Sequence, residues 1–268
     1  MGQGDAAVIS AYDGKTYLVD GGGMYGREFG KNVGQTILLP YLESLGTHRV
    51  DAAFLSHPDA DHMTGLLELM EEMSVEGLYV AAYPYEETKD LEFLRETVEK
   101  NAVAVYTVEN EVSSADGAWE CLYPMKNVVL RDVDDNHGSL VLKYHCGGRE
   151  ILFAGDMTTE DEHLLLQRGG DVSADILKVA HHGSKYSSST EFLTAADAET
   201  AIISCGENNI YGHPHKETLE RLGSAEIHRT DREGTILVTI GQDGAYSIDT
   251  MAERKPLYER IKETMEKR

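Results

Sequence analysis

Two segments of this chain follow one pattern. Residues 6–22, "AAVISAYDGKTYLVDGG", read as an apolar run, an Asp13-Gly14 turn, and a second apolar run ending on Asp20. Residues 139–156, "SLVLKYHCGGREILFAGD", repeat the scheme with a Gly147-Gly148 turn and end on Asp156. Such pairs accept the backbone conformations that close a tight hairpin between β-favouring runs. The pattern therefore predicts two similar sheets, each delivering an aspartate at a strand end. Further short, β-branched runs predict strands over 52–55, 77–80, 103–108, 176–179, 201–204 and 235–239. Between them, helical periodicity predicts helices over 35–45, 64–73, 87–100, 160–166, 189–195 and 216–222. A last, highly charged helix is expected over 256–267, with Pro256 in its first turn. Interleaved strands and helices in 268 residues, without repeats or linker-like stretches, make one α/β domain the economical reading.

The chemistry concentrates after the strand at 52–55, in "LSHPDADHMTGL". His57 and Asp59 lie two apart on an extended segment and so point to the same side. Asp61 and His62 follow just before the expected helix. Two divalent ions could share these four: His57 and Asp59 on one, Asp61 and His62 on the other. Carboxylate with imidazole suits zinc, manganese or iron. Asp156, at another strand end, and the pair His181-His182 in "ILKVAHHGSKYSSS", after a third apolar strand, extend the set. Adjacent histidines face roughly opposite ways, so one of His181 and His182 is expected to bind metal and the other to face the pocket.

Charge narrows the partners. The formal net charge is -23, which argues against a broad non-specific nucleic-acid surface. It leaves room for a compact site where bound cations supply the positive charge. Cys121, Cys146 and Cys205 show no CxxC spacing and give neither a disulfide framework nor a zinc knot. No apolar run is long enough for a membrane span. The chain enters a strand-like run almost at once, which suggests a domain cut from a longer protein.

Eight segments in order, "GQGDA", "LVDGG", "LSHPDADHMTGL", "NHGSLVL", "LFAGDM", "DILKVAHHGS", "AIISCGENNIYGHPH" and "HRTDREGTI", resemble the C-terminal hydrolase domain of the bacterial competence ComEC family, within the metallo-β-lactamase fold superfamily. The resemblance implies a four-layer αββα sandwich over 1–250 with a binuclear metal site on its edge, and leaves 251–268 as a separate charged helix. It implies that Asp156 bridges the ions and that His182 completes the second, with His181 as the alternative. The superfamily motif usually reads His-x-His-x-Asp-His, so Asp59 stands in place of a histidine. A further histidine ligand of the superfamily falls near "DDNHGS", where this chain has Asn136 and Ser139 around His137. More oxygen and less nitrogen shifts preference towards manganese or magnesium relative to zinc.

A metal-acidified water attacking phosphorus follows from these ligands, with Asp59 or Asp61 as a further proton acceptor. Ser184, Lys185, Ser187 and Ser188 are candidates to hold phosphate oxygens, with an ordinary helix cap as the competing account. Asn136 and Ser139 are candidate substrate contacts, as are Asn208, Tyr211 and His215 in "GENNIYGHPH". His213 in the same loop is a candidate acid for the leaving oxygen, against a purely structural turn. Asp20 is expected to support a metal ligand, and Arg229 to pair with Asp231. The resemblance implies a nuclease degrading single-stranded DNA, tied to the bacterial membrane through a DNA channel of a parent protein. The alternatives are a phosphodiesterase for phosphocholine esters or nucleotides, which the acidic surface favours, and a non-catalytic module of a DNA-transport complex.

Overall fold

The computed structural model describes residues 3–23, 32–83, 88–110, 112–126 and 135–251. The expected helix at 256–267 lies outside the described residues.

In the first half, β1 (Ala7–Ser10) and β2 (Thr16–Val19) form the expected hairpin, with Ala7 opposite Val19. A π-helical turn, Gly34–Leu38, runs into α1 (Leu39–Ser44). Then come β3 (Arg49–Val50), β4 (Ala52–Leu55), α2 (Ala60–Met70), β5 (Ser74–Val75), β6 (Gly77–Ala81), α3 (Lys89–Lys100) and β7 (Ala104–Val108). The sheet order is β1-β2-β4-β6-β7, parallel from β2 onward. The second half contains β8 (Trp119–Tyr123), β9 (Val141–Cys146), β10 (Arg149–Phe153), α4 (Thr159–Gln167), β11 (Ile176–Lys178), α5 (Thr190–Ala196), β12 (Thr200–Ile203), α6 (Lys216–Arg221) and β13 (Glu226–Arg229). Its sheet order is β13-β12-β11-β10-β9-β8. Here too a hairpin, β9–β10, leads into parallel strands. After α7 (Thr230–Glu233), the hairpin of β14 (Ile236–Ile240) and β15 (Tyr246–Thr250) docks through Gly244 and Tyr246 on Arg149 and Thr200. Those residues begin β10 and β12, so this hairpin closes the end where the strands start.

The side-chain alternation of the strands builds the layers. Leu18, Ala53 and Leu55 pack outward with Leu42, Leu66 and Leu94 of the helices. Tyr17, Val19, Ala52 and Phe54 pack inward against Trp119, Leu142, Tyr144 and Phe153 of the second sheet. Leu152, Leu177 and Ala201 face the opposite way, onto Leu165, Phe192 and Ala196. Three apolar interfaces separate four layers, which is the αββα sandwich.

Several elements depart from expectation. α2 begins at Ala60, not near Thr64, because Asp59 is extended (φ -70, ψ 144) and the chain turns helical directly after it. Asp61 and His62 therefore stand on the first turn of the helix. β8 and β13 are strands that local pattern does not reveal: Glu120 interrupts one apolar run, and "EIHR" has a single aliphatic residue. Pairing with β9 and β12 forms them instead. α2 also approaches the end of β2 at backbone distance. A Cβ on Gly65 would lie 2.1 Å from the Gly21 carbonyl oxygen, and the Gly65 amide donates to the Gly22 carbonyl at 2.8 Å.

Candidate metal centre

The parallel strands converge their carboxyl ends on one edge, the usual place for a site in an α/β sheet. Asp20 follows β2, His57 follows β4, Asp156 follows β10, and His181 and His182 follow β11. His182 Nε2 lies 3.3 Å from Asp61 Oδ2 and 3.6 Å from Asp156 Oδ2. His62 Nε2 lies 3.4 Å from Asp156 Oδ1. His57 Nε2 lies 3.5 Å from Asp59 Oδ2. The two oxygens of Asp156 thus face different partners. Among the described residues, His57, His62 and Asp156 form one group of possible metal donors within 4.8 Å of one another, and Asp61, His62 and His182 form another.

The outer nitrogens of these rings are already engaged. His62 Nδ1 pairs with Asp20 Oδ2 at 2.9 Å. His182 Nδ1 donates to the Ser204 carbonyl at 3.0 Å. His57 Nδ1 meets Ser56 Oγ at 3.0 Å. Ser56 in turn gives both its hydroxyl and its amide to Asp20, at 2.8 and 2.7 Å. Such outer contacts fix the tautomer and aim the Nε2 lone pair inward. Among the described residues, His57 Nε2, His62 Nε2, His182 Nε2 and Asp156 Oδ1 are buried without a hydrogen-bond partner. Lone pairs on nitrogen facing lone pairs on carboxylate oxygen are tolerable only with a cation between them. The donor set therefore fits divalent metal.

Proton equilibria say the same. Burial disfavours charge on His62, yet Asp156 and Asp20 outweigh it and hold the imidazole well above the ordinary histidine range. Burial likewise opposes charge on His182, and Asp156 and Asp61 raise it. Against the cost of burial, His62 and His182 hold Asp156 well below the usual carboxylate range. His182 and His62 lower Asp61 against the same opposition. Without metal, protons occupy the places where positive charge is required.

Asp59 is the N-cap residue of α2 but makes no side-chain capping bond. Its carboxylate turns towards His57 instead. His181 and His182 both hold left-handed backbone (φ 49 and 53), a strained arrangement typical of functional turns. His181 Nε2 approaches Asp156 Oδ2 at 3.7 Å and its ring stands edge-on to His213. A third donor group, Asp5, Asp20 and His62, is already satisfied, because Asp5 pairs with the buried Lys178 and Asp20 holds His62 and Ser56.

The remaining candidates divide. His213, His215 and Tyr211 lie in the loop beside the histidines. Burial, with His181 and His182 adjacent, pushes His213 down to about 4. The Gln3 amide nitrogen, whose oxygen partner accepts from Gly206, donates to His213 Nδ1 at 3.1 Å. His213 is thus a neutral imidazole at neutral pH, and the imidazolium needed to protonate a leaving oxygen is disfavoured. Lys185 and Asn208 are exposed. Ser184, Ser187 and Ser188 are not placed to hold phosphate: all three are buried. The amides of Ser188 and Ser189 at the start of α5 donate to the buried carboxylate of Glu162. Ser139 is buried too, and its hydroxyl accepts from the Asp156 amide at 3.1 Å, so it braces the backbone of a candidate ligand. Asn136 sits in the same turn, its Oδ1 buried without a partner among the described residues. His137 turns away to Asp161 at 2.9 Å and is absent from the donor groups found among the described residues. Arg229 pairs with Asp231 at 2.7 Å as expected. Sequence reasoning passed over Gln3, Ser56, Lys178 and Ser204. All four sit inside motifs that marked the site, but only three-dimensional contact shows what they hold.

Comparison with known proteins places these observations. The profile of the metallo-beta-lactamase superfamily matches residues 1–207. ComE operon protein 3 of Bacillus subtilis (strain 168) is 32% identical over 249 residues, covering 88% of this chain and 32% of that protein. Competence protein ComA of Neisseria gonorrhoeae is 30% identical over 213 residues, covering 78% and 28%. The chain spans about a third of the length of these curated relatives. Among solved structures, a variant of the CmlA beta-hydroxylase superimposes with a TM-score of 0.54 at 15% identity, covering 85% of this chain and 51% of that one, a likeness of fold alone.

Proposed function

Because the chain belongs to the metallo-beta-lactamase superfamily, we propose that it is a two-metal phosphodiester hydrolase whose substrate is single-stranded DNA. The observation that carries the hydrolase reading is the set of buried, unpartnered Nε2 atoms around the divided carboxylate of Asp156. His57, Asp59 and Asp156 would hold one ion; Asp61, His62, His182 and Asp156 the other. Manganese or zinc suits a set of three imidazoles and three carboxylates, with magnesium less favoured by the nitrogen donors. When bound, such ions acidify water and neutralise charge on phosphoryl oxygens.

The chain's own groups do the rest. Asp20, Ser56 and Ser204 keep the imidazoles in the tautomer that offers Nε2 inward. Asp59, part-exposed at the mouth and free of capping duty, is placed to take a proton from the attacking water, with Asp61 as the alternative. His213, held neutral, offers its Nε2–H as a hydrogen-bond donor to a phosphate oxygen. Lys185 at the exposed rim supplies a cation for a flanking phosphate.

DNA is favoured as substrate by the similarity to competence protein ComA of Neisseria gonorrhoeae. On this reading a membrane channel, contributed by a parent protein, delivers the strand. No helix among the described residues is long and apolar enough to cross a membrane. The second reading, a phosphodiesterase for phosphocholine esters or nucleotides, draws on the net charge of -23. The deciding assay measures hydrolysis of a single-stranded oligonucleotide, bis(p-nitrophenyl) phosphate and a phosphocholine ester, each with and without added manganese. Manganese-dependent cleavage of the oligonucleotide is expected. Turnover of the small esters alone would establish the second reading, and turnover of none would leave a non-catalytic module.

A further inference from the structure

A file of rings runs from the buried centre to solvent. His182 and His213 are 6.2 Å apart between centroids with planes 26° from parallel. His213 and Tyr211 are 5.7 Å apart and 21° from parallel. His213 is fixed in this file: Gln3 donates to its Nδ1, its amide donates to Asn209 Oδ1 at 2.9 Å, and its carbonyl accepts from Asn209 Nδ2 at 2.6 Å. Tyr211, outermost, is 55% exposed, and Ile210 beside it is 92% exposed. The file continues laterally through His215, 4.9 Å from His213, whose Nδ1 accepts the Lys185 amide at 3.2 Å.

Single exposed apolar residues are ordinary on protein surfaces. Here, however, the exposed ring lies nearly parallel to His213, which in turn lies nearly parallel to a candidate metal-binding ring, on a loop braced by Gln3 and Asn209. The chain as a whole is acidic, with 24 basic against 47 acidic residues, and offers little charge for holding a polyanion. Affinity for a strand must then come from something other than charge. Stacking of bases on aromatic side chains supplies affinity without cations and without sequence preference.

We propose that Tyr211, backed by His213, is a nucleobase platform beside the metal centre, taking the face of an unpaired base while Ile210 packs at its edge and Lys185 meets a neighbouring phosphate. A duplex hides its base faces in its own stack, so the platform selects single strands. The assignment rests on the phosphodiesterase reading above and names what that site recognises.

The test uses the full chain with manganese. Tyr211→Ala is expected to raise KM for a single-stranded oligonucleotide about tenfold, the loss of one base–aromatic stack, with the effect concentrated in KM and not kcat. Tyr211→Phe, which keeps the ring, is expected to restore KM. Wild-type protein is expected to show the same KM rise on an abasic strand of equal length, and the two losses are expected not to add. Independently, an oligonucleotide bearing 2-aminopurine, bound in calcium, is expected to be quenched by wild type and Tyr211→Phe but not by Tyr211→Ala. If the strand is cleaved while KM and quenching ignore Tyr211, the platform is refuted and the nuclease reading survives. If quenching depends on Tyr211 but no DNA is cleaved, the platform stands and the nuclease reading fails. Loss of both overturns both.

Discussion

Asp20→Asn isolates the outer support of the metal centre. Asp20 follows β2 with φ 55, a left-handed conformation that asparagine adopts as readily as aspartate, so the exchange leaves the backbone in place. What changes is chemistry. The buried carboxylate accepts from the Ser56 amide, the Ser56 hydroxyl and His62 Nδ1 at 2.7, 2.8 and 2.9 Å. An asparagine oxygen can keep the Ser56 amide, but its NH2 group then faces the Ser56 hydroxyl and the His62 N–H, and no charge remains. A hydrogen bond to a charged group contributes about 1.5–3 kcal/mol. Losing that at His62 Nδ1 lowers the donor strength of Nε2 and frees the opposite tautomer. The expected result is a 10- to 100-fold loss of metal affinity, about 1.4–2.8 kcal/mol. Chelator-competition titration with manganese or zinc measures it. Activity should fall at limiting metal and recover when metal is in excess. An unchanged Kd, with His62 still required for activity, would show that Asp20 is scaffold only and that the orientation argument is wrong.

Asp61→Ala is expected to cut hydrolysis at least a hundredfold, as loss of charge stabilisation at the reacting centre, while circular dichroism shows that the metal-free variant stays folded. For pH, His62 and His182 are raised, so their pairing stabilises metal-free protein fully below the ordinary histidine value of 6.5 and fades as pH climbs through the raised values. Asp156 and Asp61 are depressed, so their contribution is present above the ordinary 3.8 and fades as pH falls through the lowered values. Metal-free protein should be most stable in the mildly acidic window between, whereas the Tm gain on adding manganese should grow towards alkaline pH as bound protons no longer compete; a gain that shrinks there contradicts the assignment. Gly65→Ala, whose Cβ would strike the Gly21 carbonyl at 2.1 Å, is expected to cost about 1–3 kcal/mol and lower Tm by about 3–10 °C.

Much of this was readable beforehand because the strands are β-branched and end on chemical groups. β2, β4 and β10 lie close to where apolar runs place them, and Asp20, His57 and Asp156 follow them as the motifs suggest. The spacing could not show that Asp59 forgoes capping, since that depends on His57 across the turn. Nor could it show that Glu162, far along the chain, occupies the amides of Ser188 and Ser189. Local pattern made those amides look ready for phosphate; a buried carboxylate from α4 had taken them. Ser139 stood as a candidate substrate contact on the family resemblance, and its hydroxyl meets the backbone amide of Asp156. Each revision concerns a polar group whose partner is set by tertiary contact and not by neighbours in the chain.

The two matching hairpins explain why His62 is the pivot. Both sheets deliver an aspartate at the same place, Asp20 after β2 and Asp156 after β10, and both aspartates meet one ring. Asp20 takes Nδ1 from the first sheet at 2.9 Å, and Asp156 stands 3.4 Å from Nε2 from the second. Equivalent positions have acquired opposite tasks: one orients the donor, the other shares the space into which it donates. The ring itself comes from the first turn of α2, fixed by the backbone contact between Gly65 and the end of β2. A cation at Nε2 would therefore link helix, first sheet and second sheet, adding to the apolar packing of Tyr17, Val19 and Phe54 against Trp119, Leu142 and Phe153 that already joins the halves. Metal should then slow exchange of backbone amides at the carboxyl ends of β2 and β10 together. Protection confined to one sheet would mean that His62 serves only that sheet.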